Sequence, residues 1–314
     1  MVLHSRLDPE EVEKEREVIQ EELRMTYDQP SYRVDLLIDE AMWPDQAMGR
    51  DIGGTLETVA DIQQKDIHGY MKQQYNPANT VIAVAGNVTH DEIVDMLVET
   101  TQDWKPQESL DWEPASSVPG VLVKVERRRS DQTHLCLGVP GLSMSHPDRM
   151  VFNLMNTILG DGMSSRLFLN LREEQGLAYD VHSSASSFRD TGALVVYCGV
   201  EPQKTNDAVK TIVQEFHGMH EEPSEQELTK AREYSKGTLL LRMEDTRSVA
   251  SWLGGQELLQ NKVRTPDEIV SMLDSVQPAD IARVAKSVLS DEQMRLAVVG
   301  PRGGTKALTG ILSF

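Results

Sequence analysis

Asp66-Ile67 leads through a helical pattern to Ala83-Val-Ala-Gly86, and Asp280-Ile281 leads the same way to Ala297-Val-Val-Gly300, with 20 residues from Asp to Gly in both. An apolar residue stands four places before each Asp, Ile62 and Val276, and Leu23-Arg-Met25 upstream is echoed by Leu241-Arg-Met243. Matching spacings over this range call for two copies of one α+β unit. Helix-then-strand units also share such patterns by chance, so the repeat is an expectation for the backbone to test. If it holds, the copies are unequal. In the second, roughly a hundred residues precede the helix beginning near Pro223, whereas the corresponding helix of the first begins at Pro9. The first domain is therefore expected to lack its opening strands and helices, which would carry most of one sheet.

A length of 314 residues accommodates two domains, and 39% hydrophobic with 26% charged residues lies in the globular range. The formal net charge of −19 disfavours a nucleic-acid binder, which needs clustered Lys and Arg, and suits a basic peptide partner better. No apolar run approaches the length of a membrane span. The two cysteines, Cys136 and Cys198, both sit in alternating apolar runs. They read as buried thiols rather than disulfide or zinc ligands, and favour a reducing compartment such as the cytoplasm.

Periodicity predicts helices over Pro9 to about Met25, Tyr32–Trp43, Val59–Tyr75 and His90–Thr101, with a strand at Thr80–Gly86. Residues 106–120 hold three prolines and three serines without either period, and read as a linker between a first domain over 1–105 and a second over 121–314. Beyond it, strands are expected at Val121–Glu126, Thr133–Val139, Ala178–Ser184, Ala193–Val200 and Arg295–Gly300. Helices are expected near Asp148–Leu159 and Ser164–Glu174, and across most of Gln203–Leu289.

Residues Asp8 to Glu22 contain eight acids and two bases, ordinarily a solvated helical face. At about 100° per residue, however, Glu15 and Glu22 share nearly one meridian two turns apart. Val12, Ile19 and Leu23 lie to one side of that line and Val18 and Met25 to the other, so both carboxylates, with Glu11 close by, are expected inside the helix's apolar stripe. Buried carboxylates need a cation, a metal or several donors. A salt bridge to a neighbouring Arg and a divalent metal both satisfy the pattern.

The string Glu13-Lys-Glu-Arg-Glu-Val-Ile-Gln-Glu-Glu-Leu-Arg-Met25 resembles the downstream glutamate helix of the pitrilysin/insulinase family, inverted-motif zinc peptidases that include the mitochondrial processing peptidases. Trp43-Pro-Asp and Gly49-Arg-Asp-Ile-Gly-Gly-Thr55 are similar to the loop after that helix. Leu159-Gly-Asp-Gly-Met-Ser-Ser-Arg-Leu-Phe168 and Leu171-Arg-Glu-Glu-Gln-Gly-Leu-Ala-Tyr179 resemble the glycine-containing loop and the Arg…Tyr pair of the family's second domain. The resemblance extends over nearly the whole chain and ends at the closing strand.

It implies an α+β fold of two homologous processing-peptidase-like domains (LuxS/metallohydrolase-like), each a mixed, mainly antiparallel sheet packed with helices, the first incomplete. It implies a Zn2+-dependent metalloendopeptidase with Glu22 as a zinc ligand and Glu15 as the assisting carboxylate. Arg172 and Tyr179 would face peptide and transition state, and Gly160 and Gly162 would belong to the substrate loop. As a fixed cationic fork, Arg172 suits a peptide carbonyl, and the Tyr179 phenol can donate to an oxyanion. A helix-end charge and a strand aromatic are the plain alternatives. One departure matters for mechanism, since His-x-x-Glu-His, which supplies the other ligands and the general base, occurs nowhere in the chain. The string His217-Gly-Met-His-Glu221 has the wrong order and reads as a surface loop, while His4, His68, His90, His134, His146 and His182 are isolated in sequence. The chain alone is expected to be inactive, with the motif upstream of Met1. The expected partners are a peptide or small protein with basic residues and a second copy of the chain. A non-catalytic partner subunit and a peptide-binding scaffold are the alternatives.

Overall fold

A computed structural model describes residues 2–106, 112–301 and 304–312. In chain order the helices are α1 (Pro9–Asp28), α2 (Pro30–Met42), α3 (Leu56–Asp61), α4 (Gln64–Gln74), α5 (His90–Thr101), α6 (Arg149–Leu159), α7 (Thr205–Gly218), α8 (Glu225–Arg242), α9 (Thr246–Gln260), α10 (Pro266–Ser275), α11 (Pro278–Val288) and α12 (Thr305–Leu312). The strands are β1 (Leu122–Arg127), β2 (Thr133–Pro140), β3 (Ala178–Ser187), β4 (Gly192–Val200) and β5 (Arg295–Gly300), and a π-helical turn spans Phe168–Glu174. Among the described residues no helix is long and apolar enough to cross a membrane. Residues 107–111 of the expected linker lie outside the described residues, and 112–120 carry no regular structure.

The chain forms two compact units interleaved in sequence: Met1–Arg24, Gly53–Glu113 and Thr238–Thr265 make the first, and Met25–Ile52, Pro114–Gly237 and Pro266–Phe314 the second. Helix α2 thus belongs to the second unit and α9 to the first. Two of the five divisions fall within helices, α1 and α8.

In the second unit a five-stranded sheet has the order β1-β5-β2-β4-β3, parallel between β1 and β5 and antiparallel elsewhere. Strand alternation explains its two buried faces. Leu296 and Val298 of β5 and Leu135, Leu137 and Val139 of β2 join Phe152, Phe216 and Ile281 from the helices in the larger core. Ala297, Val299 and Cys136 point the other way, against Val34, Leu37, Ile38 and Ala41 of α2. The buried thiols Cys136 and Cys198 fall on opposite faces. Helix α2 is seated by charge as well, because Arg33 pairs with Glu126 at 2.7 Å and Glu40 at 3.2 Å, and Lys124 with Glu40 at 2.9 Å. The fully buried Arg295 donates to the carbonyls of Val118 and Gly120, fastening the end of the linker to the start of β5. Helix α12, packed on α7 and β1, has no counterpart among the elements expected from periodicity.

The repeat is visible in the backbone. Gln63 and Gln277 cap α4 and α11 with the same extended dihedrals, and each receives the reciprocal bond of a capping box, Gln63 N–H to Asp66 Oδ2 at 2.8 Å and Gln277 N–H to Asp280 Oδ2 at 3.0 Å. Each helix is followed by one 3₁₀ turn, Pro77–Asn79 or Asp291–Gln293. The cap also corrects the expected single helix over Val59–Tyr75, since Ile62 is extended and separates α3 from α4.

After these turns the copies differ. Residues 295–300 form β5, held on both sides and wholly buried, whereas 81–86 have no ladder partner among the described residues. Val81, Ile82 and Val84 remain 37%, 50% and 47% exposed. Helix α9 lies against this segment so closely that a Cβ added at Gly254 would come within 3.1 Å of the Ala83 side chain. The equivalent residue Ala297 packs against α2. Amide exchange over 81–86 is expected at least about a thousandfold faster than over 295–300, because an unpaired extended segment opens without global unfolding. Equal protection of the two segments would contradict the assignment.

Candidate active site

Two backbone irregularities in the second unit project Arg172 and Tyr179. The helical run expected at Ser164–Glu174 widens at Phe168 into a π turn, closed by Gln175 N–H to Asn170 O at 2.9 Å. Buried Leu171 anchors this turn in the core while Arg172 faces outward. Strand β3 then begins with a bulge, Ala178 pairing with Val200 and Asp180 with Gly199, so Tyr179 is the extra residue and stands 77% exposed. The two side chains meet, with Arg172 Cζ 5.3 Å from the centre of the Tyr179 ring and 4.9 Å from that of Phe168.

The glycine loop is fixed against β3. Gly160 N–H donates to Asn156 O at 2.9 Å, Ser183 N–H donates to Gly160 O at 3.0 Å, and Ser183 Oγ donates to Asn156 Oδ1 at 2.7 Å. A Cβ at Gly160 would lie 2.4 Å from Ser183 Oγ, and Gly162 has φ +101°, so each position favours glycine for its own reason.

Glu15 and Glu22 lie on α1, but outside its buried stripe, which corrects the expected geometry. The inward face is Val12, Arg16, Ile19 and Leu23, and Arg16 bonds to the carbonyls of Val59 and Ala60. Arginine's long stem let a charged residue occupy the centre of that face. Both carboxylates are exposed, alongside Val18 and Met25, which are 50% and 60% exposed. Burial therefore places no demand on Glu15 or Glu22 within the described residues.

The histidines divide. His217 Nε2 meets Asp291 at 2.8 Å and His220 Nε2 donates to Leu289 O at 3.1 Å, so this pair ties the end of α7 to the segment after α11. His134 and His182, isolated in sequence, converge on Tyr197: His134 Nδ1 is 2.7 Å from its hydroxyl, and the His182 ring stacks at 5.1 Å. Strand register brings them together, which periodicity alone could not supply. Beside them on α2 lie Asp35, which accepts from Cys136 Sγ at 3.4 Å, and Asp39. Burial pushes the Asp39 carboxyl up to about 6, helped by the neighbouring Asp35 charge. Burial likewise raises Asp35 and lowers His134.

The ordinary Asp value is near 3.8, so the folded chain holds the Asp39 proton more tightly than the unfolded chain. The stability tied to that proton is complete below about pH 4 and is lost as pH rises through about 6. Asp39→Asn is accordingly expected to stabilise the protein by about 2 kcal/mol at pH 7.5 and by almost nothing at pH 4. Urea titrations at both pH values check this, and a gain that is the same at both would contradict it.

Among the described residues no group of three or more His, Cys, Asp or Glu side chains is arranged to hold a metal ion. The described residues do not make a zinc site by themselves. Glu15 and Glu22 belong to the first unit up to Arg24, while Arg172, Tyr179, Gly160 and Gly162 belong to the second.

The profile of the peptidase M16 inactive domain matches residues 61–234. An uncharacterized zinc protease of Streptomyces coelicolor is 33% identical over 313 residues, covering 96% of this chain and 67% of that protein. The uncharacterized zinc protease YmxG of Bacillus subtilis is 33% identical over 311 residues, covering 96% and 74%. In fold, a crystal structure of a peptidase M16 inactive domain from Pseudomonas fluorescens superposes with a TM-score of 0.89 at 16% identity, covering 96% of this chain and 73% of that one. Sequence likeness across both units and the same mixed α+β architecture agree, and the chain belongs to the peptidase M16 family.

Proposed function

We propose that this chain is the larger part of a zinc metalloendopeptidase whose first domain is completed by a segment carrying His-x-x-Glu-His. The observation that carries the reading is the Arg172–Tyr179 pair. A π turn and a β-bulge, irregularities that recur at functional sites, aim a cationic fork and a phenol outward. Neither side chain donates a hydrogen bond within the described residues. Arg172 would grip a backbone carbonyl of the peptide, and the Tyr179 hydroxyl would donate to the oxyanion as it develops. On α1, Glu22 would contribute one metal ligand and Glu15 would orient or balance it, in the face left open beside Val18 and Met25. Since these residues do not complete a metal site, no hydrolytic step is assigned to the chain alone.

The repeat supports incompleteness independently of the motif, because Thr80–Gly86 follows the same capped helix and 3₁₀ turn as β5 but has no neighbouring strands among the described residues. Exposed Val81, Ile82, Leu240, Leu241, Leu258 and Leu259 in the first unit support self-association as well. The net charge of −19 supports a peptide with basic residues. A non-catalytic partner subunit is the second reading, favoured by the match to an inactive-domain profile. Incubation with a quenched basic peptide and zinc separates them. The chain alone is expected to give no chelator-sensitive turnover, and the chain joined to a segment bearing the motif is expected to give it. Turnover by the chain alone would overturn the incomplete-site reading, and a completed protein that binds zinc but cleaves nothing would favour the partner.

A further inference from the structure

We propose that Phe168 is a positioning residue for Arg172, its ring and that of Tyr179 holding the guanidinium so that its N–H groups stay available to a peptide. The inference deepens the reading of Arg172 as a peptide contact and rests on it for the identity of the ligand. Arg172 Cζ lies 4.9 Å from the Phe168 centroid and 5.3 Å from that of Tyr179, and its one ion pair among the described residues is a long 3.8 Å approach to the adjacent Glu173. Its side chain is 40% exposed.

A long side chain in that setting would ordinarily sample many rotamers, and fixing it by carboxylates or carbonyls would consume its donors. Aromatic faces fix the plane differently. They attract the cation through the ring quadrupole and leave the N–H groups at the guanidinium edge unoccupied. Phe168 is well placed for this duty. It opens the π turn that also carries Arg172, and it is itself half-buried between fully buried Leu167 and Leu171. The two rings come from different elements, the turn and the bulged start of β3, so the clamp joins both irregularities in one arrangement. Phe168 needs no contact with the substrate to matter.

Arginine-selective NMR on the whole chain tests the clamp without requiring activity. In the wild type the Arg172 side-chain protons are expected upfield of ordinary arginine positions through ring currents, the signal being assigned by its loss in Arg172→Lys. Phe168→Leu should move the resonance towards ordinary positions, Phe168→Tyr should preserve it, and Phe168→Met, an unbranched apolar replacement, repeats the test if the leucine variant does not fold. A fluorescein-labelled basic peptide read by anisotropy forms the second arm. Phe168→Leu or Phe168→Met should weaken binding about tenfold, Phe168→Tyr should restore it, and neither should weaken binding further in an Arg172→Ala background. An Arg172 resonance unchanged by removal of the ring would overturn the proposal, as would equal loss of affinity with and without Arg172. If the resonance responds but the wild type binds no peptide, the clamp stands and the peptide-contact reading of Arg172 fails.

Discussion

In the completed protein, Tyr179→Phe is expected to lower kcat by about 10²–10³-fold while leaving bound zinc unchanged. The phenol is 77% exposed at a bulge and carries no hydrogen bond among the described residues, so removing its oxygen costs the fold almost nothing. Any loss then reports a contact made during reaction. Arg172→Ala should depress kcat/KM by a similar factor, with part of the loss in KM, because a guanidinium gripping a peptide carbonyl contributes to ground-state binding as well as to the transition state. The double variant should lose less than the product of the two single losses, since the side chains are stacked and each helps place the other. Unchanged kinetics for Tyr179→Phe would return the residue to the role of an exposed strand aromatic.

The fold was largely legible because its elements carry local signals. Strand β5 coincides with the expected Arg295–Gly300, and the repeat's Asp66 and Asp280 proved to be the return arms of identical capping boxes. Features that depend on non-local packing were not legible. Nothing in Val59–Tyr75 interrupts the helical period strongly enough to announce the extended Ile62. The orientation of α1 turned on Arg16, whose side chain took the inward position while Val18 and Met25 stayed outside. The Arg172–Tyr179 pair was visible as a family resemblance, but the π turn and bulge that make the two side chains meet were not. Nor was the grouping of His134, Tyr197 and His182, which exists only once β2, β4 and β3 are in register.

In the proposed reading, completion of a zinc site turns on α1. Glu15 and Glu22 are two turns apart on an exposed face, and the apolar side chains next to them, Val18 and Met25, remain uncovered among the described residues. A segment that completes the first domain and carries His-x-x-Glu-His would cover that face and turn Glu22 from an exposed carboxylate into the third protein ligand of a zinc site. Glu22→Gln replaces a carboxylate by a neutral amide and, if Glu22 is a ligand, should lower zinc affinity more than Glu15→Gln, whose loss should be about 10–100-fold as expected for a carboxylate supporting the ligand shell. Zinc analysis of the completed protein and its Glu22→Gln variant is the most direct measurement. Close to one zinc per chain is expected in the former and almost none in the latter after dialysis against a weak chelator, and full zinc occupancy in Glu22→Gln would contradict the role of Glu22 as a ligand.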